Sequence, residues 1–126
     1  MRATHEPLTV LVIEDDPLLG LDLSDALSHA GFRPAGPVAT LTEAAREVSR
    51  RTPDVAILDV RLADGLSSGL ARELRRRRVP FLVHSACRRD GALCPELRDA
   101  PWLAKPAWPP DVVAAVAELG SGRALR

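Results

Sequence analysis

The chain has no run of about 18 apolar residues, the length a helix needs to cross a bilayer, so no transmembrane helix is expected. Cysteine is scarce: Cys87 and Cys94 stand seven positions apart, with no CxxC and no nearby pair of histidines. That excludes a disulfide framework and a zinc site, and makes a reducing cytoplasm the expected setting. Net charge is absent, since 17 basic residues balance 17 acidic ones. A face of one sign that would hold nucleic acid or an anionic membrane is therefore not expected. The four arginines at 75–78 read instead as a solvated run at a helix end, where positive charge suits the helix dipole. Residues 1–7 lack the apolar segment of a signal peptide. There is no internal repeat and no low-complexity segment. What remains is a chain of 126 residues, 46% hydrophobic, which has the length and apolar content of one domain around a single core. Its core is expected over about residues 8–119, with tails at 1–7 and 120–126.

What is present is organised around Val55-Ala56-Ile57-Leu58-Asp59, four apolar residues running into an acid. A short branched run bounded by Pro53-Asp54 and Asp64-Gly65 reads as a buried strand of a parallel sheet. Residues 60–65 after it read as a loop. An earlier run, LTVLVI at 8–13, also ends in acids: Glu14, Asp15 and Asp16. Asp16 is placed to cap a helix that starts at Pro17, carries an apolar stripe through Leu19, Leu23, Ala26, Leu27 and Ala30, and ends at Gly31. Residues 32–39 read as a second strand. Pro34 and Pro37 cannot donate to a central ladder, which puts that strand on a sheet edge or makes it short. Thr40 and Glu43 form a capping box for a helix reaching about Arg50.

Further on, Leu66, Leu70 and Leu74 mark a helix face, and residues 79–85 form a fourth strand ending in Ser85. Gly91 and Pro95 leave room only for a short helix at about 93–97. Trp102-Leu103-Ala104 is a short fifth strand, followed by Lys105-Pro106. Pro109, Pro110 and Asp111 open a last helix with its stripe at Val112, Val113, Val116 and Leu119; Gly120 is expected to stop it and 121–126 to fray. Five strands alternating with helices imply an α/β doubly wound parallel sheet with right-handed crossovers. The proline-broken second strand suits the edge of strand order 2-1-3-4-5.

In that topology the carboxyl ends of strands one, three, four and five meet at one crevice. The sequence places there Glu14 and Asp15, then Asp59, Ser85 and Lys105. Three carboxylates make a hard oxygen set suited to Mg2+, and a divalent cation relieves their mutual repulsion. Asp59, with no histidine beside it in sequence, suits the role of nucleophile on phosphorus. Lys105 and the Ser85 hydroxyl suit pairing with phosphoryl oxygens.

These residues carry a resemblance. VLVIEDDPLL near the start, VAILDVRLADG around Asp59, FLVHSA at strand four and the Lys105-Pro106 pair resemble the receiver domains of two-component response regulators, from Leu8 to about Leu119. The 44-residue separation of Asp15 from Asp59 matches that family. The resemblance implies the flavodoxin-like receiver fold, with Asp59 as phosphoacceptor, Ser85 as switch hydroxyl and Lys105 as the phosphoryl-pairing lysine. It implies Mg2+ bound by Asp15, by Glu14 mainly through water, by Asp59 and by the backbone carbonyl of Arg61. A cis Lys105-Pro106 bond is implied as well. Trp102 stands where the family's switch aromatic stands, and Arg61 and Cys87 flank the path of the attacking water. Pro80-Phe81-Leu82-Val83-His84-Ser85-Ala86-Cys87 is similar to the stand-alone receivers that read PFxFATG and then Gly or Tyr, a subgroup with an altered fourth helix. The sequence departs from that pattern at His84, Ser85, Ala86 and Cys87, and Ala63 replaces the usual proline after the phosphoacceptor.

The implied role is a phosphorylated signalling module. Its partner is a histidine kinase or a histidine phosphotransfer protein, its output runs through protein binding or phosphate drainage, and no output domain is expected after Leu119. A homodimer stays open. Two other classes compete. A phosphatase with an aspartyl-phosphate intermediate, of the kind resembling haloacid dehalogenases, wants an acid where Arg61 stands. A receiver that binds partners without phosphorylation is opposed by the intact acid, hydroxyl and lysine set. His84 is expected to pack on the opposite face of its strand from Ser85, His5 and His29 to have no role in phosphotransfer, Cys87 to be a small residue at the site rim, and Trp108 to form a packing lid.

Overall fold

The computed structural model of the chain describes residues 6–87 and 94–124. A continuous apolar run becomes a central strand only if both faces are covered, and the two runs singled out in the sequence meet that condition fully. β1 (Thr9–Ile13) and β3 (Val55–Leu58) are buried at every position and pair in parallel, with Val10 opposite Val55. Alternation then sends neighbouring side chains to opposite layers. Leu11, Ile13, Ala56 and Leu58 join one apolar cluster with Val48, Leu70 and Leu74. Val10, Val12, Val55 and Ile57 join the other with Leu23, Leu27, Val112 and Val116.

α1 (Pro17–His29) begins at Asp16, whose carboxylate accepts from the backbone N–H of Leu18 and Leu19. It ends where Gly31 turns left-handed at φ +95°. β2 (Arg33–Val38) lies on the sheet edge, parallel to β1. The Arg33 N–H donates inward to the Leu8 carbonyl, so alternation turns the nitrogen of Pro34 outward, where a missing N–H costs no ladder bond. The Gly36-Pro37 peptide is cis. α2 (Leu41–Arg50) is capped by Thr40, whose hydroxyl oxygen accepts from the Glu43 N–H, as the capping box predicts.

Residues 60–65 are not the plain loop expected of them. β4 (Arg61–Leu62) and β5 (Gly65–Leu66) form a small antiparallel hairpin beside the main sheet. Leu66 belongs to that hairpin, and α3 (Ser68–Arg76) carries Leu70 and Leu74. The arginine run that follows is largely solvated, as expected, with Arg75, Arg76 and Arg78 exposed, yet its guanidinium groups have partners. The Arg75 guanidinium lies 5.2 Å from the Phe81 ring centroid and donates to the Glu96 carbonyl, while Arg76 and Arg77 pair with Glu73.

β6 (Phe81–Ser85) and β7 (Trp102–Ala104) complete the five-stranded parallel sheet, in the order β2-β1-β3-β6-β7. Counted within this sheet, that is the expected 2-1-3-4-5. Between them the described residues hold only a 3-10 turn (Pro95–Leu97); the start of the expected helix, at Leu93, lies outside the described residues, as does Gly91. α4 (Pro109–Ala124) runs past Gly120, against the expected stop and frayed tail. A Cβ on Gly120 would sit 2.8 Å from Leu8 Cδ1, so this glycine serves close packing and does not end the helix. Trp108 is 69% exposed and is no lid.

Two glycines with positive φ differ in what surrounds them. A Cβ on Gly36 (φ +88°) would meet the Val38 nitrogen at 2.7 Å and the Val12 carbonyl oxygen at 2.9 Å, whereas one on Gly31 (φ +95°) would meet nothing within 4 Å. Gly31→Ala should therefore cost only the backbone strain, about 1 kcal/mol. Gly36→Ala should cost that plus a backbone collision, about 3 kcal/mol in total. Urea denaturation midpoints of the two variants check the order; equal losses would contradict it.

Candidate functional site

The carboxyl ends of β1, β3 and β7 bring Glu14, Asp59 and Lys105 into direct contact. Lys105 Nζ lies 2.8 Å from Glu14 Oε1 and 2.8 Å from Asp59 Oδ2. Asp59 uses its other oxygen to accept from the Val60 N–H at 2.7 Å. Glu14 Oε2 accepts from the Asp16 N–H at 3.1 Å. Glu14 is 4% exposed and Asp59 8%, so two carboxylates stand nearly dehydrated on one ammonium. Burial pushes the Glu14 carboxyl above its ordinary range, against the Lys105 and Asp16 hydrogen bonds, and the neighbouring Asp15 carboxyl, which would accept from protonated Glu14, pushes it upward as well. Burial disfavours the Lys105 ammonium too, but its hydrogen bonds to Asp59 and Glu14, with their charges, outweigh that and raise its pKa. The ammonium is therefore kept charged, with the Glu14 and Asp59 carboxyl groups both against it.

Asp15 is exposed at the mouth. Among the described residues no three His, Cys, Asp or Glu side chains are grouped as a ready metal cage; Lys105 is what lies between Glu14 and Asp59. Arg61 stands in β4, opposite Leu66. The Ser67 N–H donates to the Val60 carbonyl at 2.9 Å, which makes residues 60 and 67 a hydrogen-bonded pair. Arg61 and Leu66 are then the non-bonded pair next to it, so the Arg61 carbonyl points out of the ladder.

Ser85 is fully buried. Its hydroxyl oxygen accepts from the Cys87 N–H at 3.1 Å, and its carbonyl accepts from the Lys105 N–H at 2.9 Å. The strand pairing thus holds Ser85 beside Lys105 but does not place its hydroxyl on Asp59. Cys87 is half-buried against the α2–α3 side of the core, and so is Trp102, which sits opposite Val83. The Lys105-Pro106 peptide is cis. His84 is 1% exposed, and alternation with Val83 and Ser85 turns it to the face covered by α1 and α4. Burial and the Lys105 charge lower its pKa, and neither ring nitrogen has a hydrogen-bond partner, so it is a neutral packed histidine. His29 Nδ1 lies 2.8 Å from the Asp25 carbonyl oxygen, and His5 lies outside the described residues.

Two residues of this region escaped the sequence reading. Ser67 closes the base of the β4–β5 hairpin by donating its hydroxyl to the Val60 carbonyl at 3.1 Å. Asp64 reaches from the hairpin tip to α2, 22 and 23 residues away in sequence. The Asp64-Gly65 dipeptide signalled a turn, but nothing local signalled its distant partner.

No protein-family model matches the chain. The phyllosphere-induced regulator PhyR of Methylorubrum extorquens is 32% identical over 113 residues, which are 86% of this chain and 42% of PhyR. The solution structure of SdrG from Sphingomonas melonis superposes with a TM-score of 0.74 at 31% identity, covering 94% of this chain and 98% of SdrG. A CheY-like response regulator receiver domain from Methylobacillus flagellatus has the same fold, with a TM-score of 0.75 at 24% identity over 90% of this chain and 98% of that one. With the five-stranded sheet and the acid–lysine cluster at its carboxyl edge, the chain belongs to the receiver domains of response regulators. It spans 37% to 55% of the length of the curated relatives it matches.

Removing the lysine tests the electrostatics. Lys105→Ala strands buried Glu14 beside Asp59, and the loss should be about 2–3 kcal/mol at pH 7.5, below the value for a fully buried pair because the mouth is open. The folded-state pKa of Glu14 already lies above its unfolded value of 4.5, so its contribution to stability is lost as pH rises through the folded value. Without the ammonium that folded value rises further. The deficit of the variant should therefore shrink as pH falls from 7.5 toward 5, in urea unfolding with a chelator present. An equal deficit at both pH values would show that Lys105 supplies packing and not charge.

Proposed function

We propose that this receiver accepts a phosphoryl group on Asp59. The observation that carries the reading is the pairing of a buried aspartate, at the carboxyl end of the central strand, with a lysine whose charge is held in place by that aspartate and Glu14. An Asp59 oxygen attacks phosphorus, the bond from phosphorus to the imidazole nitrogen of a phosphohistidine breaks, and the freed imidazole takes up a proton. Lys105 passes from the carboxylates to a phosphoryl oxygen. Ser85 turns its hydroxyl from the Cys87 N–H to another, which signals to the segment beyond it. Trp102 keeps its place against the core in this reading.

The donor set fits Mg2+: Asp15, Glu14, Asp59 and the Arg61 carbonyl would supply hard oxygen ligands, and three carboxyl groups near one ammonium suit a cation. Bound there, the ion would neutralise charge on the transferring phosphoryl oxygens. The phosphodonor would be a histidine kinase or a histidine phosphotransfer protein. Leu18 and Leu21, in the first turns of α1, and Trp108, three residues after Lys105, are the large hydrophobic side chains exposed among the described residues, at 74%, 54% and 69%. All three flank the acidic and lysine loops, which suits a protein surface docking over the site. The short 3-10 turn at Pro95–Leu97 and the Pro80-Phe81 start of β6 support membership of the PFxFATG-like subgroup. Output through a bound protein, or phosphate drainage from a shared donor, follows from this reading.

Incubation with radiolabelled acetyl phosphate and Mg2+ should give one equivalent of base-labile, acid-stable label, lost in Asp59→Ala and on chelation. Label surviving in Asp59→Ala would move the acceptor elsewhere. Turnover of many equivalents would point to a phosphatase, and an unlabelled wild type to a receiver that works without phosphorylation. Arg61, long, cationic and exposed two residues beyond the acceptor, should shield the product, so Arg61→Ala should hydrolyse its label faster than the wild type; an equal or slower rate removes the shield.

A further inference from the structure

The hairpin that leads away from Asp59 is too small to hold itself. Its strands are two residues each, and a two-stranded ribbon is marginal even at greater length. Three attachments fix it. At the base, Val60 donates to Asp59 and accepts from both the N–H and the hydroxyl of Ser67. In the middle, Leu62 is 3% exposed in the core. At the tip, the Asp64 carboxylate accepts from the Leu41 N–H at 2.8 Å, the Thr42 N–H at 3.2 Å and the Thr42 hydroxyl at 3.3 Å. Gly65, at φ +138°, completes the turn, and a Cβ there would meet Leu41 Cδ1 at 3.6 Å. The first turn of α2 already has a cap in Thr40, which serves the Glu43 N–H. Asp64 therefore does more than finish a helix end: it ties the segment leaving the acceptor to a different layer of the fold.

Resting on the reading of Asp59 as phosphoacceptor, we propose that Asp64 is a positioning residue for that site. By pinning the hairpin tip to the amino end of α2, it holds Arg61 in register two residues beyond Asp59 and so sets how long the aspartyl phosphate survives. Between base and tip the Arg61–Leu66 step has no ladder bond of its own, which makes it the step most dependent on the tip. Released from α2, the hairpin would fray, Arg61 would leave its place, and water would reach the phosphoryl group more freely.

Two variants of the full chain separate this role from plain helix capping. Asp64→Ala and Thr40→Ala each remove side-chain acceptors from the same turn of α2. Both are labelled with acetyl phosphate and Mg2+, and the decay of base-labile label is followed after the donor is removed. Asp64→Ala should lose its label at least about five-fold faster than wild type, since small misplacements at a reacting centre have large kinetic effects. Thr40→Ala should stay within about two-fold, because it leaves the hairpin attached. Asp64→Asn, which keeps one acceptor oxygen, should fall between and replaces Asp64→Ala if that variant does not fold. Wild-type decay in the Asp64 variants, or equal acceleration in Thr40→Ala, would overturn the positioning role. A wild type that takes no label overturns the acceptor reading first, and this inference with it.

Discussion

Everything at the carboxyl edge of the sheet depends on one ammonium group. Glu14 and Asp59 are almost fully dehydrated, and neither a buried pair of acids nor a lone buried lysine is tolerable by itself. Lys105 bridges them, and it reaches that point because β7 pairs with β6 and β6 with β3. The arrangement is stable yet not electrically complete. One positive charge faces two buried carboxylates and an exposed third at Asp15, with Glu14 held above its ordinary pKa by burial.

The sheet that builds this cluster also builds its surroundings unequally. On the β1 side the acidic loop is tied at both ends: Glu14 donates its N–H to the Val38 carbonyl, and Asp16 caps α1 directly after it. On the β3 side the chain enters a hairpin held by Ser67 at the base and Asp64 at the tip. On the β6 side the regular structure gives out among the described residues, and the 3-10 turn that follows is tied back to α3 by Arg72–Glu96, by Arg75 to the Glu96 carbonyl and by a 3.0 Å contact of Ser68 Oγ with Cys94 Sγ. α3 thus receives a link from the loop that follows Asp59, through Ser67, and another from the region after Ser85.

Local chemistry was legible wherever a residue acts on its near neighbours. Asp16 and Thr40 could be read as caps because their partners lie two or three residues away, and the edge placement of β2 could be read from Pro34 because a missing N–H is a property of the residue itself. The gathering of Glu14, Asp59 and Lys105 was legible because a parallel sheet of known order leaves its strand ends no other place to meet. Where an isolated residue admitted two uses, the sequence misled. Gly120 looks like a helix stop and is a packing contact with Leu8; Trp108 looks like a lid and stands in solvent.

By itself, then, the sequence determined the alternation of elements, the strand order and the identity of the acids and lysine that share the crevice, because apolar periodicity, caps and proline act over a few residues. Only the tertiary structure decided that residues 61–66 form a hairpin, that Asp64 bonds to α2, that the Ser85 hydroxyl faces the Cys87 N–H, and that Lys105 occupies the space between Glu14 and Asp59. These are contacts between residues far apart in the chain or alternative partners for one polar group. Their choice depends on which donors and acceptors burial leaves within reach, and that is settled when the layers pack.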